Sequence, residues 1–355
     1  DCIHIQKLHA LGLLTSSFLP DETTEKLRTY CRQRSNLISS AAGTSRKMQK
    51  YLKFLNFRLD VVVKDVCGLT GLAIIEDICK GNLDPEALAE HRHYNCRKSK
   101  AEIAKALHGN NREDFLFGLK QEYQAYQFFK KQIEVCDREI DKFIKQELKK
   151  SPEKTKLKTT DKPYKRQNKN AISIKNFNQI AFQYFGGVDL MAIEGLSHST
   201  ILSVMSELGP AGFYKFGTSK QFVSWARLAP NNKISGGKVL SSKIPKGSNR
   251  IKIALRQAAN AIGNLKDTHL SDFFRRVAFR KGRQAAVSAT ARKLGVIIWT
   301  MVTKQVPYNP PNEYLFLDQK RKQKIVSRIK KNITKFDIKP EDVGFCNSLI
   351  TSCNF

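Results

Sequence analysis

The chain has 355 residues, enough for two or three domains and more than one buried core, which excludes a single small module. Its 62 lysines and arginines against 32 aspartates and glutamates give a formal net charge of +30, spread over the whole length rather than gathered in one tail. A polyanion is the partner such a surface selects, because each neutralised phosphate releases condensed counterions. A coiled-coil scaffold with no salt-dependent affinity for nucleic acid is disfavoured.

Residues 1 to about 19 read as an amphipathic helix and a short extended stretch ending at Pro20. The sequence opens without Met and lacks the basic start and small-residue cleavage site of a signal peptide, so it is expected to be a fragment or processed product. From Asp21, an acidic first turn and Leu27, Tyr30, Cys31, Arg34, Leu37 and Ile38 at spacings of three and four predict one long helix. Residues 57–110 predict shorter helices broken at Gly68, Gly71, Gly81-Asn82 and Gly109-Asn110. Leu116, Leu119, Tyr123, Tyr126, Phe129, Ile133, Cys136, Ile140 and Phe143 then alternate threes and fours in a coiled-coil pattern, one half of an antiparallel arm or a dimer interface. Residues 150–170 are lysine-rich without apolar pattern and read as a basic linker.

Beyond the linker, Leu190, Ile193, Gly195 and Leu196 followed by Ser197–Thr200 predict a helix-hairpin-helix-like unit. Its turn either holds a phosphate on backbone N–H groups or packs as core. A helix containing Phe222, Trp225 and Leu228 stops at Pro230, and two alanine-rich helices fill the block from Lys252 to Tyr308. The tail, 311–355, is basic. Eight cysteines show no C-x-x-C pair, and His91 and His93 lack a second ligand pair, so thiols and a solvated helix face are expected rather than a metal site. No run of about 18 apolar residues is present, and no membrane span is expected.

The stretch with most chemistry is "KISGGKVLSSKIPKGSNRIKIAL". Gly236 and Gly237 let the backbone after Ser235 turn with positive φ, while Lys238, Lys243, Lys246 and Arg250 surround it with charge. Two readings stay open on these residues: a phosphate-binding turn without chemistry, or a nucleophilic serine whose proton acceptor lies elsewhere, since the loop has neither histidine nor carboxylate.

"FVSWARLAPNNKISGGKVLSSKIPKGSNRIKIALRQAANA" and "RKGRQAAVSATARKLGVIIWTMVTKQVPYN" resemble the C-terminal domain of the insertion-sequence one-ten family. These are DEDD transposases related to the Piv invertases, understood as RNA-guided DNA recombinases. "DCIHIQKLHALGLLTSSFLPDETTEKLRTYCRQRSNLI" is similar to the family's junction between its RuvC-like domain and coiled coil. The resemblance implies a mainly α chain with five parts. These are the end of a RuvC-like α/β domain (1–20), a helical coiled-coil region (21–149), the linker, a C-terminal serine domain (171–310) and the basic tail.

The same resemblance implies Ser235 as the nucleophile that joins to DNA. Asp1 would be the last of four acids binding Mg²⁺, with the other three absent from the sequence, so the chain alone would be inactive. Gly236, Gly237, Lys238, Lys243, Lys246, Arg250, Lys252, Arg292 and Lys293 would contact nucleic acid. DNA, a guide RNA and further copies of the chain, as dimer or tetramer, would be the partners, in the cytoplasm of a bacterium or archaeon at the nucleoid. The family usually has glycine where Arg227 stands and arginine where Lys252 stands. The alternative is a non-catalytic DNA- or RNA-binding protein using the helical hairpin and basic helices.

Overall fold

The computed structural model describes residues 2–14, 18–149, 170–266, 268–310 and 313–337, without the side chains of 313–322 and 324. Asp1, the expected linker apart from Asn170, and the end of the tail with Cys346 and Cys353 lie outside the described residues. The described chain is mainly α, with one two-stranded sheet. Residues 1–20 contribute a helix, α1 (Cys2–Ala10), with no buried residue.

Two long helices make an antiparallel arm, α2 (Glu22–Phe54) and α7 (Glu113–Lys149). Asp21 caps the first: its Oδ1 accepts from Thr24 N at 2.9 Å, satisfying one orphan donor of the first turn. Leu27, Arg34, Ala41 and Met48 are buried at heptad spacing, and so are Leu119, Tyr126, Ile133 and Ile140. The coiled-coil pattern is therefore met within one chain. Over the far end fold α3 (Leu59–Val62), α4 (Leu69–Lys80), α5 (Pro85–Ala89) and α6 (Lys100–Ala106), closing a core around Leu55, Phe57, Ile74 and Ile103.

Gly71 does not break this region. It sits in the first turn of α4, where a Cβ would lie 2.1 Å from Val66 O, so glycine is present for close approach of two backbones. Gly81, with φ +98°, does end α4. His91 hydrogen-bonds Asp77 at 2.6 Å rather than joining a ligand cluster.

The second core belongs to α8 (Phe177–Tyr184), a 3-10 turn (Leu190–Ala192), α9 (His198–Glu207), α10 (Gly209–Tyr214), α11 (Ser219–Trp225), α12 (Arg250–Ile262), α13 (His269–Lys281) and α14 (Arg283–Lys304). The first limb of the expected helical hairpin is the 3-10 turn alone, capped by Asp189, whose Oδ1 accepts from Met191 N at 2.9 Å. Its half-buried turn packs against α12: Gly195, at φ +77°, leaves no room for a Cβ, which would meet Ile262 Cγ1 at 2.3 Å. Helix α13 is an addition to the elements read from sequence. α14 is long and apolar enough, by length and composition, to cross a membrane, and Ala291, Leu294 and Ile298 spend that apolarity in the core against α11, α12 and α13.

The arm joins this second core through buried Leu27, Ile140 and Ile144, and is fastened to it by charge as well. Arg34 and Asp137 form a buried ion pair facing across the arm, and Arg34 also donates to the carbonyls of Asn170 and Ala171, both at 3.2 Å. Asp137 Oδ2 accepts from Ser173 N at 3.0 Å, so the buried pair is satisfied on both sides and pins the chain entering the second core. Beyond Tyr308 the helix α15 (Glu313–Phe336) makes the described part of the tail, exposed at residues 325–336.

Candidate nucleic-acid interface and the serine hairpin

Strands β1 (Lys233–Ser235) and β2 (Lys238–Ser241) pair antiparallel around Gly236 and Gly237, whose φ values are +54° and +73°. Two consecutive positive φ values are what a tight two-residue hairpin needs, and glycine reaches them without steric cost. The register sets Ser235 opposite Lys238 and Ile234 opposite Val239, with a bulge between Lys233 and Ile234. Every residue from Asn231 to Leu240 is exposed, Ile234 to 62% and Leu240 to 70%. Ser235 thus projects at the tip of a solvent-facing hairpin. Among the described residues nothing hydrogen-bonds its hydroxyl, and no group of three or more His, Cys, Asp or Glu side chains fit for a metal ion exists.

The hairpin's base is built more firmly than its tip. Asn231 N donates to Lys243 O at 3.1 Å, closing the loop where it leaves the body. Arg227, just past α11, holds φ +53°, a conformation that favours glycine and explains why a glycine suits this position. Its guanidinium donates to Lys246 O at 2.6 Å and fills the space beside Gly247, where a Cβ would lie 2.2 Å from Nη1. Lys252 is buried and donates to Pro245 O at 2.6 Å. Burial lowers its pKa below the usual lysine value, and Arg256 and Arg227 push the same way. It acts here as a tie for the loop rather than as an outward-facing cation.

From this loop a cleft of about 1590 Å³ opens between α12, α13 and α14. Lys243, Lys246, Lys252, Arg256, Arg280, Lys281, Arg292 and Lys293 line it, and among the described residues no carboxylate does. Between Glu207 and Glu313 the chain's only acids are Asp267 and Asp272, so this stretch is strongly basic. Arg256 is oriented by Ser288 at 2.7 Å, and Lys293 lies 2.7 Å from His269 Nε2 and over the Phe273 ring. Such a wall attracts phosphate oxygens without reading bases.

The sequence-derived residues divide among three places. Lys243, Lys246, Lys252, Arg292 and Lys293 line the cleft. Ser235, Gly236, Gly237 and Lys238 stand outside it on the hairpin, and Arg250 turns away toward Glu207. Arg256, Arg280 and Lys281 are cleft residues that sequence reading did not single out. For Arg280 and Lys281 the one local signal was the "RRVAFRK" run on the unrecognised α13, and Arg256 lies on α12 with no such run.

Residues 189–275 match the model of the Transposase IS116/IS110/IS902 family. The match spans the hairpin, α12 and most of α13, the elements that carry the serine and much of the cleft wall. It supports a transposase function, with DNA as partner. No curated protein matches the chain.

Proposed function

We propose that the chain carries the strand-joining part of an insertion-sequence transposase that cuts and rejoins DNA through Ser235, with a guide RNA choosing the target. One observation supports this above the rest. Within the family-matched segment, a Gly-Gly hairpin holds an exposed serine where the chain leaves a basic cleft with no carboxylate among its described lining residues. The cleft holds nucleic acid by its phosphates, and the hairpin presents Oγ to a strand lying along the rim.

In this reaction Ser235 Oγ attacks the phosphorus of a target phosphodiester. The Oγ–P bond forms as the P–O bond to the leaving deoxyribose oxygen breaks, and the serine proton passes to a base. A freed strand hydroxyl then attacks the phosphoserine phosphorus and releases Oγ, which regains a proton. One phosphodiester is lost and one made, so no nucleoside triphosphate is consumed. The hairpin has no base of its own, so the proton acceptor is supplied by another domain or subunit docking over Ser235. Transposases generally use divalent metal ions, but the described residues do not fit a Mg²⁺ site and no step is assigned to one.

The second reading, a binding protein without chemistry, is favoured by a single fact: the serine has no described hydrogen-bond partner to activate it. Covalent trapping separates the two. The protein is incubated with Mg²⁺, element-derived RNA, end-labelled DNA and a family acidic domain supplied in trans. A protease-sensitive protein–DNA adduct that disappears in Ser235→Ala supports the recombinase. Salt-sensitive binding with no adduct in either protein moves the reading to the binding protein.

A further inference from the structure

A second pocket, of about 490 Å³, lies where the arm meets the body, on the far side of the α12 N-terminus from the cleft. Its centre is Glu207, a buried carboxylate in the last turn of α9, where the helix's own C-terminal dipole disfavours an anion. Three guanidiniums reverse that penalty and leave an excess of cation. Arg32 forks onto both carboxylate oxygens at 3.2 and 2.9 Å. Arg28 donates to the Glu207 carbonyl at 2.6 Å, while its buried Nε, 3.3 Å from Oε2, lacks the alignment of a hydrogen bond. Arg250 reaches Oε1 only at 3.7 Å, beyond hydrogen-bond length. One carboxylate therefore occupies Arg32 and leaves donors of Arg28 and Arg250 facing the pocket, with the ring of Trp225 as one wall.

Three cations around one anion in a concave site are arranged for a second anion, and guanidinium forks match phosphate oxygens. Gly247 lines the cleft and Ser248 the pocket, so the two are neighbours along the chain. We propose that this pocket is a phosphate subsite for a nucleic-acid strand that leaves the cleft, passes the start of α12 and reaches the base of the arm, its nucleotide lying against Trp225. The strand's route rests on reading the cleft as the nucleic-acid interface. Glu207 then acts as the positioning residue that holds Arg32 in place, and the arm reports strand occupancy directly, since Arg28 and Arg32 belong to α2.

The test uses the full chain and a fluorescein-labelled single-stranded DNA 20-mer, with affinity measured by anisotropy from low to moderate salt. Arg250→Gln leaves the Arg32–Glu207 fork intact, and Arg32→Gln/Arg250→Gln removes two of the three cations. The first should weaken binding roughly tenfold and lower the salt slope by about one. The second should lower both further, and Trp225 fluorescence quenching by the strand, read in a Trp299→Phe background, should be lost. Arg280→Gln/Lys281→Gln tests the cleft separately. Unchanged affinity and slope in Arg250→Gln, with weakened binding in the cleft variant, overturn the pocket while sparing the cleft. Weakened binding in Arg250→Gln with an unaffected cleft variant keeps the pocket as a phosphate site and overturns the cleft reading. Inorganic phosphate that protects Arg250-dependent quenching as well as the 20-mer does would reduce the subsite to a free-phosphate site and overturn the strand assignment.

Discussion

The arm and the C-terminal cleft use the same residue types to opposite ends. In the arm and the short helices over its far end, cations meet carboxylates: Arg34 with Asp137 in the seam, Lys47 with Glu122 at 3.0 Å, and Lys98 with Glu102 at 2.7 Å. In the cleft, seven lysines and arginines besides the loop tie Lys252 line one space, with no carboxylate among the described residues. Pairing of charge thus differs between the two regions, although both are net basic. Where charge is paired it fastens the fold, and where it stands exposed without a described carboxylate, as at Lys243, Lys246 and Arg292, it is open to a partner.

The largest effect should come from breaking the buried pair in the arm. Asp137→Ala strands Arg34 without its carboxylate and should cost about 3–5 kcal/mol in urea denaturation. Replacing both, as Arg34→Met/Asp137→Leu, should restore most of that loss. A cost below about 1 kcal/mol for Asp137→Ala would mean the pair does not fasten the arm.

Next in size is Gly195→Ala, which forces a Cβ to within 2.3 Å of Ile262 in a left-handed conformation. It should destabilise by roughly 1–3 kcal/mol without changing nucleic-acid affinity in the folded fraction. An affinity loss beyond the folding loss would show that the turn touches phosphate instead of serving only as core.

Within the cleft, Lys252 and Lys243 sharpen the contrast. Lys252→Ala leaves the Pro245 carbonyl without its donor and should cost about 1–3 kcal/mol. Lys243→Ala, on an exposed side chain, should stay within about 0.5 kcal/mol in stability while weakening binding.

The smallest effects are titrations of opposite sense. Asp77, held below its ordinary value chiefly by the hydrogen bond from His91, contributes stability above the unfolded carboxylate pKa that is lost as pH falls through its lower folded value. Asp77→Asn should flatten that acid limb in a pH series of thermal melts. Lys252, whose folded pKa is lowered by burial, binds fewer protons folded than unfolded, so stability should rise with pH from its folded value toward the ordinary lysine value. Lys252→Met should remove that rise.

What could be read in the sequence was local. Helix periodicity marked α2 and α7, and heptad spacing marked their pairing, because each signal fits within a few turns of chain. The Gly-Gly turn after Ser235 was visible because glycine at consecutive positions points to positive φ, although "KISGGKVL" was read as a loop and not as the hairpin it forms. What escaped depends on distance along the chain. The cleft joins Lys243 to Arg292, and the second pocket joins Arg28 to Glu207 and Arg250, pairings that no local pattern encodes. Helix α13 escaped because only Leu270, Phe274 and Val277 mark its buried face between two glycines.

The most direct measurement of the contrast is the salt dependence of DNA binding for two variants beside the unaltered protein. One, Lys243→Gln/Lys246→Gln/Arg292→Gln, removes exposed cleft cations, and the other, Lys47→Gln/Lys98→Gln, removes paired arm cations. The cleft variant should lower the slope of log affinity against log salt by about two to three, and the arm variant should leave it unchanged. Equal losses in both, or none in the cleft variant, would contradict the assignment of the nucleic-acid interface to the unpaired face.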